Sequence, residues 1–554
     1  MSIMMTAVLV SVTLFLIAER PNNEHVTPEF SVDKPIFYKG ESAQVTAIGE
    51  QESLKIPLSV IQEWIDSNVY LDEATDSIIF TTEQKVVQMR TDQLTAMVND
   101  KPMELRFPVE KVGGEIYVPI TPIREILPMV AQETSEGAVV IHRSADVVNW
   151  GAAPADTEGT VPVRTEATIK APILYDLKQE ERFMIWEENA EGWYRIQLDN
   201  GHIGYVQKKH VILQEPELIQ TQHSDTQEYI PWKPIGEKIN MTWEHVYSRN
   251  PDTSEIGPMP GLDVISPTWF SLADTEGNVS NKADEAYVKW AHERGYQVWA
   301  LFSNDFTDPD KTSEILSTYD KRIKVIRQIT AFVKMYNLQG INVDFENVYL
   351  EDRDRLTQFI RELTPFLHEQ GAVISMDVTV HSTSEMWSMF YDRKRLAEVL
   401  DYMIVMAYDE HWASSPVAGS VASLPWVEKG ISQILTLDDV PPSKMILGIP
   451  YYTRIWTEET VDGKKEVSSS AVGMETIQSL IEEKQLKPVY DEETGQNYVE
   501  YTEEGALKRI WIEDETSIQN RLQLVDKYNL AGIASWRRGF ESQNVWPFIE
   551  SYLK

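Results

Sequence analysis

GINVDFENV, residues 340–348, alternates strictly between apolar and polar side chains. Successive side chains on a strand point to opposite faces, so Ile341, Val343 and Phe345 share one face and Asn342, Asp344 and Glu346 the other. An edge strand with one wet face would use this pattern. So would a barrel strand that packs one face on helices and sends two carboxylates towards a pocket. The flanking sequence decides between them.

Seven further apolar runs surround this one, separated by helix-like stretches. They are INMTWE from Ile239, LDVISPTWF from Leu262, YQVWALFSN from Tyr296, AVISMDVTV from Ala372, YMIVMAYDE from Tyr402, MILGIPYY from Met445 and GIASW from Gly532. The clearest helix covers Glu351–Gln370, with Leu356, Phe359, Ile360, Leu363, Phe366 and Leu367 in one stripe and Gly371 as its stop. Eight strands with helical crossovers predict a (β/α)8 TIM barrel. Such a barrel has no wet edge, and its active site lies at the C-terminal strand ends, where Glu346 falls. Paired buried carboxylates cost free energy unless they are hydrogen-bonded or one is protonated, which points to a chemical use. The seventh connection is too long for one helix. It predicts a small α+β insertion at about 457–520, before strand eight, walling a cleft.

At 554 residues the chain exceeds one ordinary core, and several domains are expected. A formal net charge of −37 argues against nucleic acid as a partner. The absence of cysteine removes disulfides, thiolate nucleophiles and Cys-based metal sites. Ile3–Ala18 is an uncharged, mostly apolar run closed by Glu19 and Arg20, short for a membrane span. Residues 1–20 therefore read as a signal peptide or N-terminal anchor, although no Lys or Arg precedes the run. The protein is expected to act outside the cytoplasm, secreted or anchored at the envelope, with membrane contact only through that segment.

Two modules precede the barrel. Within 29–149, Met97–Leu127 orders a strand, an Asn-Asp turn, a strand, a Gly-Gly turn, a strand ending at Pro119 and a helix start. This resembles the small α+β domain at the N-terminus of copper amine oxidases, which carries no copper chemistry. Trp150–Thr160 (150–160) reads as a linker. Residues 161–213 hold short strands, including EGWYRIQLDNGHIGYV with a hairpin signal at Asp199-Asn200-Gly201. They resemble a bacterial SH3-like β-barrel, which implies contact with wall peptide or a spacer role. A second linker, 214–232, leads to the barrel at 233–554.

LQGINVDFE resembles the signature of glycoside hydrolase family 18, an apolar residue followed by [D/N]-G-x-[D/N]-x-[D/N]-x-E. MAYD (Met406–Asp409) on strand six, LGIPYYTRIW on strand seven and Trp536 on strand eight resemble the family's further motifs. The resemblance covers the last 320 residues or so, and the domain layout is similar to bacterial cell-wall and spore-cortex N-acetylglucosaminidases. It implies substrate-assisted hydrolysis. Glu346 would protonate the glycosidic oxygen. Asp344 would stay ionised, raise the pKa of Glu346 and orient the 2-acetamido group. Tyr408 would hydrogen-bond the acetamide, and Asp409 would hold it or sugar hydroxyls. Trp536 would floor the sugar, and Asn342, Met406, Trp243 and Tyr452 would complete the substrate site. No metal or cofactor is called for. The partner would be peptidoglycan or a related N-acetylglucosamine glycan.

Gln339 and Asn342 depart from the commoner acidic pattern, and Asn342 removes a charge able to exchange a proton with Asp344. Trp456 is a further cleft-lining residue at even odds. Asp377, inward on strand five, either touches substrate or braces the barrel. His411 reads as packing. The alternative readings are a chitinase or other N-acetylglucosamine-glycan hydrolase, or a non-catalytic wall-binding barrel.

Overall fold

The computed structural model describes residues 20–554 apart from 157–158, 222–228, 235–237 and 462. The expected signal or anchor at 1–20 therefore lies, but for Arg20, outside the described residues. Among the described residues no helix is long and apolar enough to cross a membrane. The chain divides into two compact units, the second beginning at Glu228.

In the first unit, the Asn99-Asp100 and Gly113-Gly114 turns carry positive φ at all four residues, from 44° to 93°. Two successive left-handed residues match the twist of a tight hairpin. They join Thr95–Val98 to Lys101–Glu104 and Glu110–Val112 to Glu115–Pro119, and the helix Ile120–Ile126 follows. The SH3-like sheet contains the expected hairpin, with Trp193–Gln197 antiparallel to Ile203–Gln207.

The expected linker at 150–160 starts as structure. Val147–Ala152 is a strand paired with Arg182–Glu188, Asn149 facing Ile185 and Ala152 facing Arg182. Its small residues are small because the sheet is tight there. A Cβ on Gly151 would meet Phe183 at 2.7 Å and Val211 at 2.8 Å. The second expected linker also begins with a short strand, Glu217–Leu218, on the same Val147–Ala152 strand.

The second unit holds eight parallel strands: β1 Ile239–Glu244, β2 Val264–Leu272, β3 Gln297–Ser303, β4 Gly340–Asp344, β5 Val373–Thr379, β6 Tyr402–Met406, β7 Met445–Pro450 and β8 Gly532–Trp536. Each pairs with the next, and β1 pairs with β8, which closes the barrel. Helices follow β2 to β8, but the β1–β2 connection carries only the 3-10 turn Thr253–Glu255.

The opening stretch behaves as its alternation requires. Ile341 and Val343 are fully buried, and Phe345 packs against Phe302 of β3 and Phe359 of the helix Arg353–His368, with ring centroids 5.3 and 5.8 Å apart. On the inward face, Gly340 leaves room for the Trp299 ring, which would lie 2.7 Å from any Cβ placed there. Gln339 anchors the strand start, accepting from Val298 N at 3.1 Å and lying 2.8 Å from His292 Nε2.

The insertion begins and ends earlier than 457–520. It opens at Tyr452, directly after β7, and its last strand ends at Ile512. Its five-stranded antiparallel sheet runs Lys464–Gly473, Tyr452–Val461, Ala506–Ile512, Gln496–Glu503, Val489–Asp491 in spatial order. The helix Met474–Glu483 packs on it through Ile477, against Val499 and Ile510. The helix Glu515–Lys527, N-capped by Asp514 with Ser517, belongs to the barrel crossover.

Candidate active site

Alternation carries Asn342, Asp344 and Glu346 up the inside of β4, and depth in the barrel then separates them. Asn342 is fully buried in an interior layer. Its Oδ1 accepts from Trp243 Nε1 at 2.9 Å, which fixes the amide so that Nδ2 donates to Ser375 Oγ at 3.1 Å and Asp377 Oδ1 at 2.9 Å. The expectation that Asn342 touches substrate is therefore corrected. It lies beneath the cavity and does not line it.

Asp344 and Glu346 both line a cavity of about 520 Å³ at the C-terminal end of the barrel. Met406, Tyr408, Asp409, Tyr452, Trp243 and Trp536 line it too, so the structure brings together every other residue expected at the site. Trp456 does not reach it. That side chain is fully buried and donates from Nε1 to Gly419 O at 2.8 Å. His411 packs under Gly419, and its Nδ1 lies 2.9 Å from Ser420 O.

Glu346 follows the last residue of β4 by two, and Asn304 holds its peptide on both sides. Asn304 Nδ2 donates to Glu346 O at 2.8 Å, and Glu346 N donates to Asn304 Oδ1 at 2.9 Å. Tyr391 adds a bond from its hydroxyl to Phe345 O at 2.8 Å. The Glu346 carboxyl itself makes no hydrogen bond among the described residues. Burial, with the Asp409 carboxylate as second cause, lifts its pKa to about 7.

Asp409, in a left-handed conformation at φ 62°, is held by Tyr452 Oη at 2.6 Å and Arg454 at 3.1 Å. Asp344 Oδ1 is buried without a hydrogen-bond partner among the described residues. Burial first, then Glu346 and Asp377, push the Asp344 carboxyl well above its usual range. Asp344 and Glu346 disfavour each other's charge, and the Asp409 carboxylate is a further charge facing Glu346. Tyr408 is held neutral by burial, so its hydroxyl is a donor. Trp243 and Trp536 tilt against each other at 5.9 Å and form an apolar floor.

Four contributors escaped the sequence reading. Asn304 carries no local motif, His245 and Lys282 also line the cavity, and Tyr391 lies on the segment after β5. The arrangement offers a carboxyl protonated up to neutral pH, a second buried carboxyl, a phenol donor and an indole floor. These are parts for acid-assisted cleavage of a bond in a polar, ring-shaped substrate.

Comparison with known proteins gives a direct match. The model of glycosyl hydrolases family 18 matches residues 258–541, just over half of the chain. The copper amine oxidase N-terminal domain matches 37–141, and the bacterial SH3 domain matches 159–212. An uncharacterized glycosylase, YvbX, from Bacillus subtilis (strain 168) is 27% identical over 305 residues, covering 53% of this chain and 85% of that protein. The cortical fragment-lytic enzyme of the same organism is 25% identical over 230 residues, 41% of this chain and 52% of that one. The crystal structure of the Bacillus megaterium QM B1551 spore cortex-lytic enzyme SleL shares the fold at a TM-score of 0.51 and 19% identity, covering 61% of this chain and 77% of SleL.

Proposed function

Because the chain belongs to glycosyl hydrolase family 18, and is a glycosidase, we propose that it cleaves β-1,4 bonds after N-acetylglucosamine in peptidoglycan or spore cortex, with retention. One observation supports this most. Asp344 Oδ1, the Glu346 carboxyl and the Tyr408 hydroxyl share one cavity over an indole floor, and none has a hydrogen-bond partner among the described residues. A buried polar atom left unpaired is costly, as at Asp344 Oδ1, and a ligand that pairs it while meeting Glu346 and Tyr408 recovers that cost.

An N-acetylated pyranose does so. Glu346, protonated up to about pH 7, donates its proton to the glycosidic oxygen as the bond to C1 breaks. The acetamide oxygen of the same sugar attacks C1, forming an oxazolinium ion. Asp344 accepts the acetamide N–H as positive charge grows, and Tyr408 donates to the acetamide oxygen and aligns it. Glu346, now a carboxylate, draws a proton from the attacking water, and C1 regains its first configuration. Trp536 and Trp243 support the apolar face of the ring.

The cortex-lytic names among the relatives favour a muramic-acid glycan over chitin. That substrate and the apolar N-terminal run support a proposed location outside the cytoplasm, secreted or anchored. The SH3-like module is proposed to meet wall peptide away from the sheet edge at Ile169–Ile173, because residues 22–26 already hydrogen-bond along that edge. The test is digestion of peptidoglycan, cortex and chitin by the protein and by Glu346→Gln, with mass spectrometry of the new reducing ends. N-acetylglucosamine ends from the first two substrates, absent with the variant, are expected. Cleavage of chitin alone would replace the substrate assignment, and no cleavage of any glycan would overturn the reading.

A further inference from the structure

β4 and β5 pair in parallel, Gly340 with Val373, Asn342 with Ser375 and Val343 with Met376. One step further this register sets Asp344 beside Asp377, on strands spaced about 4.8 Å apart. Both side chains face inward, both are buried (8% and 1% exposed), and both line the catalytic cavity. Asp377 is also tied from below. The Asn342 amide, fixed by Trp243, donates to Asp377 Oδ1 at 2.9 Å, while Asp344 Oδ1 has no hydrogen-bond partner among the described residues.

The charged and titratable groups facing this pair are Glu346 from the same strand, Tyr391 after β5 and Tyr408 after β6. Neither Asp344 nor Asp377 has an ion pair with Lys or Arg among the described residues, and no carboxylate cluster there has metal-ligand geometry. Two adjacent buried carboxyls without a counter-charge cannot both ionise at low cost. At the position where an acidic residue would stand beneath Asp344 on β4, this chain has Asn342. The second carboxyl stands on β5 instead.

We propose that Asp377 is a positioning residue: in the free enzyme Asp344 and Asp377 hold one proton between them, and this sets the pH above which Asp344 is available as an anion. The role rests on the reading of Asp344 as the acceptor of the acetamide N–H. Substrate binding, by pairing Asp344 with that N–H, leaves the shared proton on Asp377. The burial of both carboxyls and their mutual repulsion, which push each well above the usual range, agree with this. Glu346 owes its elevation first to burial and then to Asp409.

The test is pH-titrated infrared spectroscopy of the protonated-carboxyl band in the wild type, Asp377→Asn and Asp344→Asn. Asn preserves the shape of Asp and keeps an oxygen for Asn342 to donate to, and thermal melting checks the fold of each variant. The wild type is expected to keep two carboxylic acids into the neutral range, Glu346 and the proton shared by Asp344 and Asp377. In Asp377→Asn the remaining Asp344 band should disappear about one pH unit lower or more, having lost a neighbouring negative charge. An Asp344 titration unchanged in Asp377→Asn would overturn the proposal, whether or not the enzyme cleaves the glycans tried.

With a cleavable glycan the active form keeps the shared proton on Asp377, so the acidic limb of kcat/KM is uptake of a second proton by the pair. Asp377→Asn, which can no longer share a proton, should move that limb to higher pH and leave the alkaline limb in place. A uniform fall in kcat with both limbs unmoved would show a merely structural role. Absence of cleavage by the wild type would count against the proposed function instead, and the infrared result would still decide the proton question.

Discussion

Asp409 is the group through which charge reaches the acid Glu346 from the cavity wall. Burial alone raises Glu346, and the Asp409 carboxylate adds to it, giving a value of about 7. Glu346 must carry its proton to act, so activity is lost as pH rises through that value. Asp409→Asn removes the facing charge, and Asn tolerates the left-handed backbone at this position. The alkaline limb of kcat/KM should then move to lower pH by roughly half a unit to one unit, a modest shift because Asp409 is about half exposed to solvent. An unmoved limb in a stopped assay across pH would contradict this origin of the shift. Period-two alternation made Glu346 and Asp344 legible at this scale. It could not place Asn342, because alternation tells which way a side chain points and not how deep its layer lies. Asp377 was visible as inward-facing, but its pairing with Asp344 depends on the register between two strands whose ends the sequence does not fix.

At the scale of elements, the helices Tyr319–Tyr336 and Arg353–His368 brace β4 from outside through a fully buried ion pair. Arg322 Nε and Nη2 donate to the two Glu362 oxygens at 2.8 and 2.9 Å. Arg322 also donates to Leu316 O at 3.0 Å, and Gln358 donates to Glu362 at 2.9 Å. Both Glu362 oxygens and all three Arg322 nitrogens are engaged, so removing one partner strands a buried charge. Glu362→Ala should cost about 3–5 kcal/mol in urea unfolding. A loss under about 1 kcal/mol would mean that the pair is hydrated or dispensable. The eight strands were legible from their apolar runs. The insertion's edges were not, because YTRIWTEETV from Tyr452 continues the strand character of β7 without a turn signal. The Trp150–Ala153 segment misled in the other direction. Gly151, Ala152 and Ala153 carry small side chains because Phe183 and Val211 crowd the sheet there, and small residues also make flexible linkers.

At the scale of the whole molecule, the chain joins a copper amine oxidase N-terminal domain and a bacterial SH3 domain to a glycosidase barrel, and that order was readable from turn signals together with the resemblance of each stretch to known domains. Asp199-Asn200-Gly201, Asn99-Asp100 and Gly113-Gly114 announced their hairpins because only a few residue types accept positive φ. The apolar run near the N-terminus lies outside the described residues. The proposed function puts the chemistry at the barrel mouth, where the substrate's own acetamide would replace an enzyme nucleophile and Glu346 would move the protons. The most direct measurement is proton NMR of the first product formed from a soluble N-acetylglucosamine oligosaccharide, recorded before mutarotation. The β-anomer, released by the wild type and not by Glu346→Gln, is the expected result. An α-anomer as the first product would contradict substrate assistance and require a water activated on the opposite face of the sugar.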